Sequence, residues 1–169
     1  VIGGGNIFRG LKGSLQGFDR QTGDYMGMLA TVINSLALQA ELEALGVKVK
    51  LMSALKIEGL AEKTNGLKAV KYLESGYLVI LSGGTGNPYF TTDTASALRA
   101  VEIKADAVFK GTRVDGVYTE DPEKNPAARK YDHLTFREAY EKDLKIMDLT
   151  AFTMCEENNI PIVVFNMNQ

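Results

Sequence analysis

The stretch Gly84-Thr85-Gly86-Asn87-Pro88-Tyr89-Phe90-Thr91-Thr92-Asp93 carries the residue types best suited to chemistry on an anion. It follows an apolar run, Tyr77-Leu78-Val79-Ile80-Leu81, and precedes a helix-like run over 94–105. Glycines let backbone N–H groups approach a phosphate, and a helix N-terminus adds a favourable dipole. Thr85, Thr91 and Thr92 add hydroxyl donors, and Asp93 stands where a helix cap is expected. A phosphorylated small molecule is therefore the first ligand to consider.

A second glycine turn opens the chain. Val1-Ile2 reads as the end of a strand, and Gly3-Gly4-Gly5-Asn6-Ile7-Phe8-Arg9 supplies a turn followed by a cation. It is either a backbone cradle for phosphoryl oxygens with Arg9 as charge-assisted partner, or a plain turn with a solvated arginine. Neither the dinucleotide fingerprint G-x-G-x-x-G nor the Walker A pattern is present, which excludes an ordinary P-loop enzyme. Asp24 reads as an N-cap or first-turn acid, or as a carboxylate accepting from the vicinal hydroxyls of a sugar. Asp93 and Asp148 both stand near helix starts. They are caps, or they organise Mg²⁺ and cations in phosphoryl transfer, which needs positioning and charge neutralisation more than a strong base. Lys110, at a strand end, either neutralises phosphate charge or is a surface lysine. The stretch 112–122 carries the turn signals Asp115-Gly116 and Asp121-Pro122. It is a simple connection, or Val117 and Tyr118 flank a base while Asp121 binds ribose or amino groups.

The elements that must hold these residues follow from periodicity. A glycine-rich loop with a short helix is expected over 3–23, and a helix over 24–45, where apolar residues recur at helical spacing. Strands are expected over 47–52, 77–81, 107–110 and 160–165. Further helices are expected over 65–74, 94–105, 134–144 and 148–158, with Gly76 ending the first of these in the left-handed region. Strands alternating with helices predict an α/β fold, a mostly parallel sheet with helices on both faces. Ligands in such folds gather at the C-terminal ends of strands, where each glycine-rich loop falls.

The 169 residues suffice for a single domain, 1–169, with a sizeable core. A net charge of −2 gives no attraction to nucleic acid or membrane, so an anion site must use local donors. Cys155 is the only cysteine, which excludes an internal disulfide, and it reads as a buried inert thiol. With one histidine, His133, in a polar stretch, zinc sites and His-based nucleophilic catalysis are disfavoured. Met147 and Met154 read as core residues. No signal peptide or membrane-length apolar run is seen, and a cytoplasmic location is expected.

Six ordered stretches together resemble the bacterial UMP kinases (uridylate kinases) of the amino-acid kinase superfamily. They are Gly3-Gly4-Gly5-Asn6-Ile7-Phe8-Arg9-Gly10, Gly23-Asp24-Tyr25-Met26-Gly27-Met28-Leu29-Ala30-Thr31, the loop from Thr85 to Asp93, Thr112-Arg113-Val114-Asp115-Gly116-Val117-Tyr118, Asp121-Pro122, and Met147-Asp148-Leu149. The resemblance runs along essentially the whole chain. It implies a three-layer αβα sandwich of the carbamate kinase-like type and Mg²⁺-dependent transfer of the ATP γ-phosphate to UMP. It further implies UMP contacts at Gly4, Asp24 (ribose) and Thr85, Gly86, Asn87, Pro88, Tyr89, Phe90, Thr91 and Thr92. ATP contacts are implied at Gly5, Arg9, Thr112, Tyr118 and Asp121, and catalytic roles at Asp93 and Asp148, with no protein metal ligands assigned; Lys110 joins the catalytic candidates from its own position and charge. A homo-hexamer activated by GTP and inhibited by UTP is implied, with part of an interface on the helix over 24–45. The family's lysine-bearing N-terminal strand unit and a short C-terminal segment are expected to be missing from these residues. Two competing expectations are an acyl-phosphate-forming relative, and a nucleotide-binding regulatory module without turnover.

Overall fold

Short apolar and alternating runs place the strands, and a computed structural model describes residues 1–9 and 17–168. In chain order the elements are α1 (Arg20–Ala44), β1 (Val49–Ser53), β2 (Glu62–Lys63), α2 (Gly66–Glu74), β3 (Leu78–Ser82) and α3 (Thr92–Glu102). Then follow β4 (Val108–Thr112), β5 (Val117–Tyr118), β6 (Lys130–Tyr131), α4 (Phe136–Glu141), α5 (Leu149–Glu157) and β7 (Ile162–Asn166). The expected strands are found, and so are the helices expected from residue 24 onward. The short pieces β2, β5 and β6 were not expected, because two residues are too few to show a period.

Three helix boundaries differ from expectation. Helix α1 begins at Arg20 because Asp19, not Asp24, is its N-cap, accepting from the Thr22 N–H at 3.0 Å. Asp24 is thus one turn inside the helix. Thr91, not Asp93, caps α3, and Asp93 lies in the first turn, where a carboxylate suits the helix dipole. Helix α4 is only Phe136–Glu141, fixed by a capping box between Thr135 and Glu138. Asp148 does cap α5. The loop expected over 3–23 is a turn at its start and helix from Arg20, and its portion 10–16 lies outside the described residues.

Strands β2, β1 and β3 form one parallel sheet, in that order, with Val49 opposite Leu78 and Ser53 opposite Ser82. Its two faces separate by period two. Val49, Leu51 and Ile80 pack with Leu36, Leu38 and Leu42 of α1. Met52 and Leu81 pack with Ala69 and Tyr72 of α2 on the other face. Burial of side chains as large as Leu51 and Met52 is worth about 1.5–3 kcal/mol each. The N-terminal residues run beside β3, where the Ile2 N–H donates to the Leu81 carbonyl at 3.4 Å.

Strands β4 and β7 pair in parallel, Val108 opposite Ile162 and Thr112 opposite Asn166, and β5 pairs antiparallel with β6. Beside β4, helices α3 and α5 meet through small side chains, Ala97 and Ala100 against Ala151 and Cys155. Met147 and Met154 pack against this cluster as expected. Cys155 is buried, and burial pushes its thiol pKa up, which suits an inert core residue. No described helix is long and apolar enough to cross a membrane.

Candidate functional site

The turn after β3 is built on glycines that must adopt left-handed backbone. Gly83 has φ +75°, and a Cβ there would lie 2.9 Å from Ser53 Oγ and 3.0 Å from the Ala54 nitrogen. The Gly83 N–H is buried and donates to Thr31 Oγ1 at 2.7 Å, while that hydroxyl donates to the Met28 carbonyl at 2.7 Å. One side chain of α1 therefore satisfies the first donor of the turn. Arg99 of α3, buried, braces the next residue by donating to the Gly84 carbonyl at 3.2 Å, and it pairs with Glu102 at 2.6 Å.

The N-terminal glycine turn lies flat on α1. A Cβ on Gly4 would meet the Gly27 carbonyl at 2.7 Å and the Thr31 nitrogen at 2.8 Å, so only glycine permits the approach. Asn34 holds the turn from the helix, donating to the Gly3 carbonyl at 2.8 Å and to Asn6 Oδ1 at 2.7 Å. Arg9 folds back so that Nε donates to the Gly5 carbonyl at 3.0 Å.

Between these turns, α1 and the N-terminus of α3 lies a cavity of about 740 Å³. That is within the usual range for a small-molecule site. Its wall includes Gly4, Gly5, Arg9, Asp24, Thr85, Asn87, Phe90, Thr91, Thr92, Asp93 and Lys110, all expected from sequence. Three cations (Arg9, Arg20, Lys110) face two carboxylates (Asp24, Asp93), so the lining carries a surplus of one positive charge in a chain of net −2. Lys110, from β4, bridges to α3 by donating to Asp93 Oδ2 at 2.7 Å and to the Ile146 carbonyl at 2.8 Å. Such a site can hold a phosphate between a lysine, arginines, threonine hydroxyls and a helix N-terminus.

Other expected residues stand elsewhere. Gly86, Pro88 and Tyr89 belong to the loop but not to the cavity wall. Tyr89 has φ 73°, and its N–H donates to Asp24 Oδ2 at 2.7 Å. Asp148 lies behind the wall. It caps α5 through the Ala151 N–H at 2.9 Å, and it accepts from Thr91 Oγ1 and from Thr94 Oγ1, the latter at 3.0 Å. Partial burial works to raise its pKa, but hydrogen bonds from Thr91, the Ala151 N–H and Thr94 outweigh it and hold the carboxyl below its ordinary value. Asp148 thus acts on the cavity through Thr91.

Thr112, Tyr118 and Asp121 are not in the wall. Thr112 Oγ1 closes a local turn with Val114, and Asp121 caps its own turn through the Glu123 N–H at 3.0 Å. The Tyr118 hydroxyl donates to Asp115 at 2.6 Å, and Lys130 Nζ donates to the same carboxylate at 2.9 Å. The Tyr118 hydrogen bond first, then that of Lys130, pulls the Asp115 pKa down to about 2. Sequence reasoning missed the α1 contributions, Arg20, Gly27, Met28 and Thr31. The signal was available for Arg20, which precedes Asp24 by four residues and so shares its helix face.

A profile of the amino acid kinase family matches residues 1–166. The chain belongs to the amino acid kinase family. Within that family it is 61% identical over 168 residues to the uridylate kinase of Porphyromonas gingivalis, covering 99% of this chain and 70% of that protein. The crystal structure of UMP kinase from Ureaplasma parvum superimposes with a TM-score of 0.94 at 43% identity, covering 99% of this chain and 72% of that one. The UMP kinase of Bacillus anthracis gives a TM-score of 0.95 at 39% identity, with 100% and 70% covered. The amino acid kinase fold, with mainly parallel strand pairing layered with helices, is thus the fold of this chain.

Proposed function

We propose that this chain is a UMP kinase, moving the γ-phosphoryl group of ATP to UMP and yielding UDP and ADP. The observation that carries this reading is the convergence of Gly4, Asp24 and the loop from Thr85 to Thr92 on one cavity, in a chain matched over 99% of its length to a uridylate kinase. The Asn87-Pro88-Tyr89-Phe90-Thr91-Thr92 loop weighs against an acyl-phosphate-forming relative.

In this reading Asp24 accepts from the ribose hydroxyls, Gly4, Thr85, Asn87, Phe90, Thr91 and Thr92 hold UMP from the cavity wall, and Gly86 shapes the loop behind it. Pro88 and Tyr89 shape the loop rather than the wall. Gly5 and Arg9 hold phosphates of ATP, while Thr112, Tyr118 and Asp121 form its outer rim. A phosphate oxygen of UMP attacks the γ-phosphorus as the bond to the ADP oxygen breaks. Lys110 offsets charge on the transferring group, Asp93 holds the lysine in place, and Asp148 fixes Thr91. A Mg²⁺ brought in with ATP would be held chiefly by phosphate oxygens, with Asp24 and Asp93 as the acidic groups of the wall. No described group of three His, Cys, Asp or Glu residues could hold a metal alone. Magnesium supplies further charge neutralisation when bound.

A homo-hexamer regulated by GTP and UTP, in the cytoplasm, completes the proposal. The exposed Tyr25, Leu29 and Ile33 of α1 support packing of that helix against another copy. Calorimetric titration tests the substrate assignment. UMP should bind saturably and in preference to AMP and CMP. Equal binding of all three, or none, would overturn it.

A further inference from the structure

Arg20 lies in the first turn of α1, lines the cavity, and has no part in the scheme above. Its Nε donates to Asp24 Oδ2 at 2.7 Å, and the Tyr89 N–H donates to that same oxygen, also at 2.7 Å. The Arg20 guanidinium carbon stands 5.5 Å from the centroid of the Tyr89 ring, within cation–π range. The Asp24 side chain is only 12% exposed, that of Arg20 34%. One carboxylate oxygen thus ties the helix to the loop between Thr85 and Thr92.

The geometry has a chemical consequence. A carboxylate oxygen offers about two acceptor sites, and both sites of Oδ2 are taken by charge-assisted donors. A ligand hydroxyl must therefore meet Oδ1. Turning the carboxylate to present Oδ2 would break both bonds together. Tyr89, a bulky residue at φ 73°, keeps a conformation that such residues hold only when their surroundings enforce it. Arg20 also offsets the charge of Asp24 in a cavity that must admit a phosphate dianion.

We propose that Arg20 is a positioning residue for sugar recognition. It fixes which Asp24 oxygen faces the nucleotide and so sets the preference for a ribonucleotide over a deoxyribonucleotide. The inference rests on the UMP reading of the cavity and deepens it.

Equilibrium titration of UMP and dUMP into the whole chain, its Arg20→Met variant and its Arg20→Gln variant tests the proposal. The unmodified chain should prefer UMP. Arg20→Met should lose about tenfold of that preference, the scale of one charged hydrogen bond. Arg20→Gln, which keeps a donor without the charge, should fall between. Should circular dichroism show Arg20→Met unfolded, Arg20→Gln decides. If Arg20 merely braced the helix, UMP and dUMP would weaken together. An unchanged ratio in a folded variant therefore overturns the inference while leaving UMP kinase activity standing. Equal binding of UMP and dUMP by the unmodified chain would also overturn it. Failure to bind UMP at all would sink the substrate assignment and this inference with it.

Discussion

Lys110 Nζ lies 2.7 Å from Asp93 Oδ2, linking the middle of β4, where Lys110 stands rather than at the strand end expected from sequence, to the first turn of α3. Both side chains are about one quarter to one third exposed, at 25% and 30%, and both face the cavity. Lys110→Met should lower turnover by about 10²–10³-fold, the scale of losing one preorganised charge stabiliser. Asp93→Asn should lower turnover while leaving UMP binding largely intact. Steady-state kinetics beside UMP titration reads both, and an unchanged turnover number would remove these residues from the chemistry.

Thr31 offers a stability prediction. Its hydroxyl is the acceptor for the buried Gly83 N–H, and valine keeps the volume but not the oxygen. Thr31→Val should cost about 1–3 kcal/mol, the penalty for an orphaned buried donor. Urea denaturation measures it. A midpoint equal to that of the unmodified chain would mean the turn finds another acceptor.

Asp148 separates a capping role from a role in transfer. Alanine removes the cap of α5 and both threonine contacts, so Asp148→Ala should lose about 1–2 kcal/mol. Asparagine still caps, so Asp148→Asn should keep most of the stability. Its amide can no longer accept from Thr91 and Thr94 as a full carboxylate does, so turnover should drop. Thermal melts and kinetics on the same two proteins decide, and full activity in Asp148→Asn would leave only the cap.

The hairpin of β5 and β6 should respond to acid. Asp115 has its pKa pulled down to about 2 by Tyr118 first and Lys130 next. A carboxyl with a depressed folded value contributes stability above its unfolded pKa, about 3.9, and loses it as pH falls toward 2. The Tyr118 pKa is raised, first by its hydrogen bond to Asp115, and that of Lys130 is raised for the same first reason. Their contributions are complete below about pH 10 and fade above it. The hydrogen-exchange protection factor of the Thr119 N–H, which donates to the Arg129 carbonyl, should therefore fall below about pH 4 once the intrinsic exchange rate at each pH is divided out. Asp115→Asn should flatten that acid limb. An acid limb of unchanged steepness in the variant would contradict the assignment.

Much of this was legible in the sequence because it rests on local rules. The strand at β3, its glycine turn and the helix after it follow from an apolar run, obligatory left-handed glycines and threonine donors. The cap at Asp148 and the helix stop at Gly76, with φ +78°, were readable the same way. For Asp24 and Asp93 the cap was one of two open readings, and that role falls instead to a residue five or two positions upstream, Asp19 or Thr91. Tertiary pairing chose between them: Asp24 is held by Arg20 and the Tyr89 N–H, and Asp93 by Lys110. The roles of Thr31 and Arg99 were illegible for a related reason. Each joins a turn to a helix far away in sequence, 52 residues for Thr31 and 15 for Arg99, and no periodicity encodes such contacts.

Phosphoryl transfer to UMP is read by product analysis. The chain would be incubated with Mg-ATP and, separately, UMP, CMP, dUMP, AMP and a carbamate or amino-acid acceptor, and products followed by ³¹P resonance. A UMP kinase should give ADP and UDP in equal amounts from UMP, with little product from the other acceptors. Acyl phosphate formed in preference to UDP, or no transfer from a folded chain that binds UMP and ATP, would contradict it.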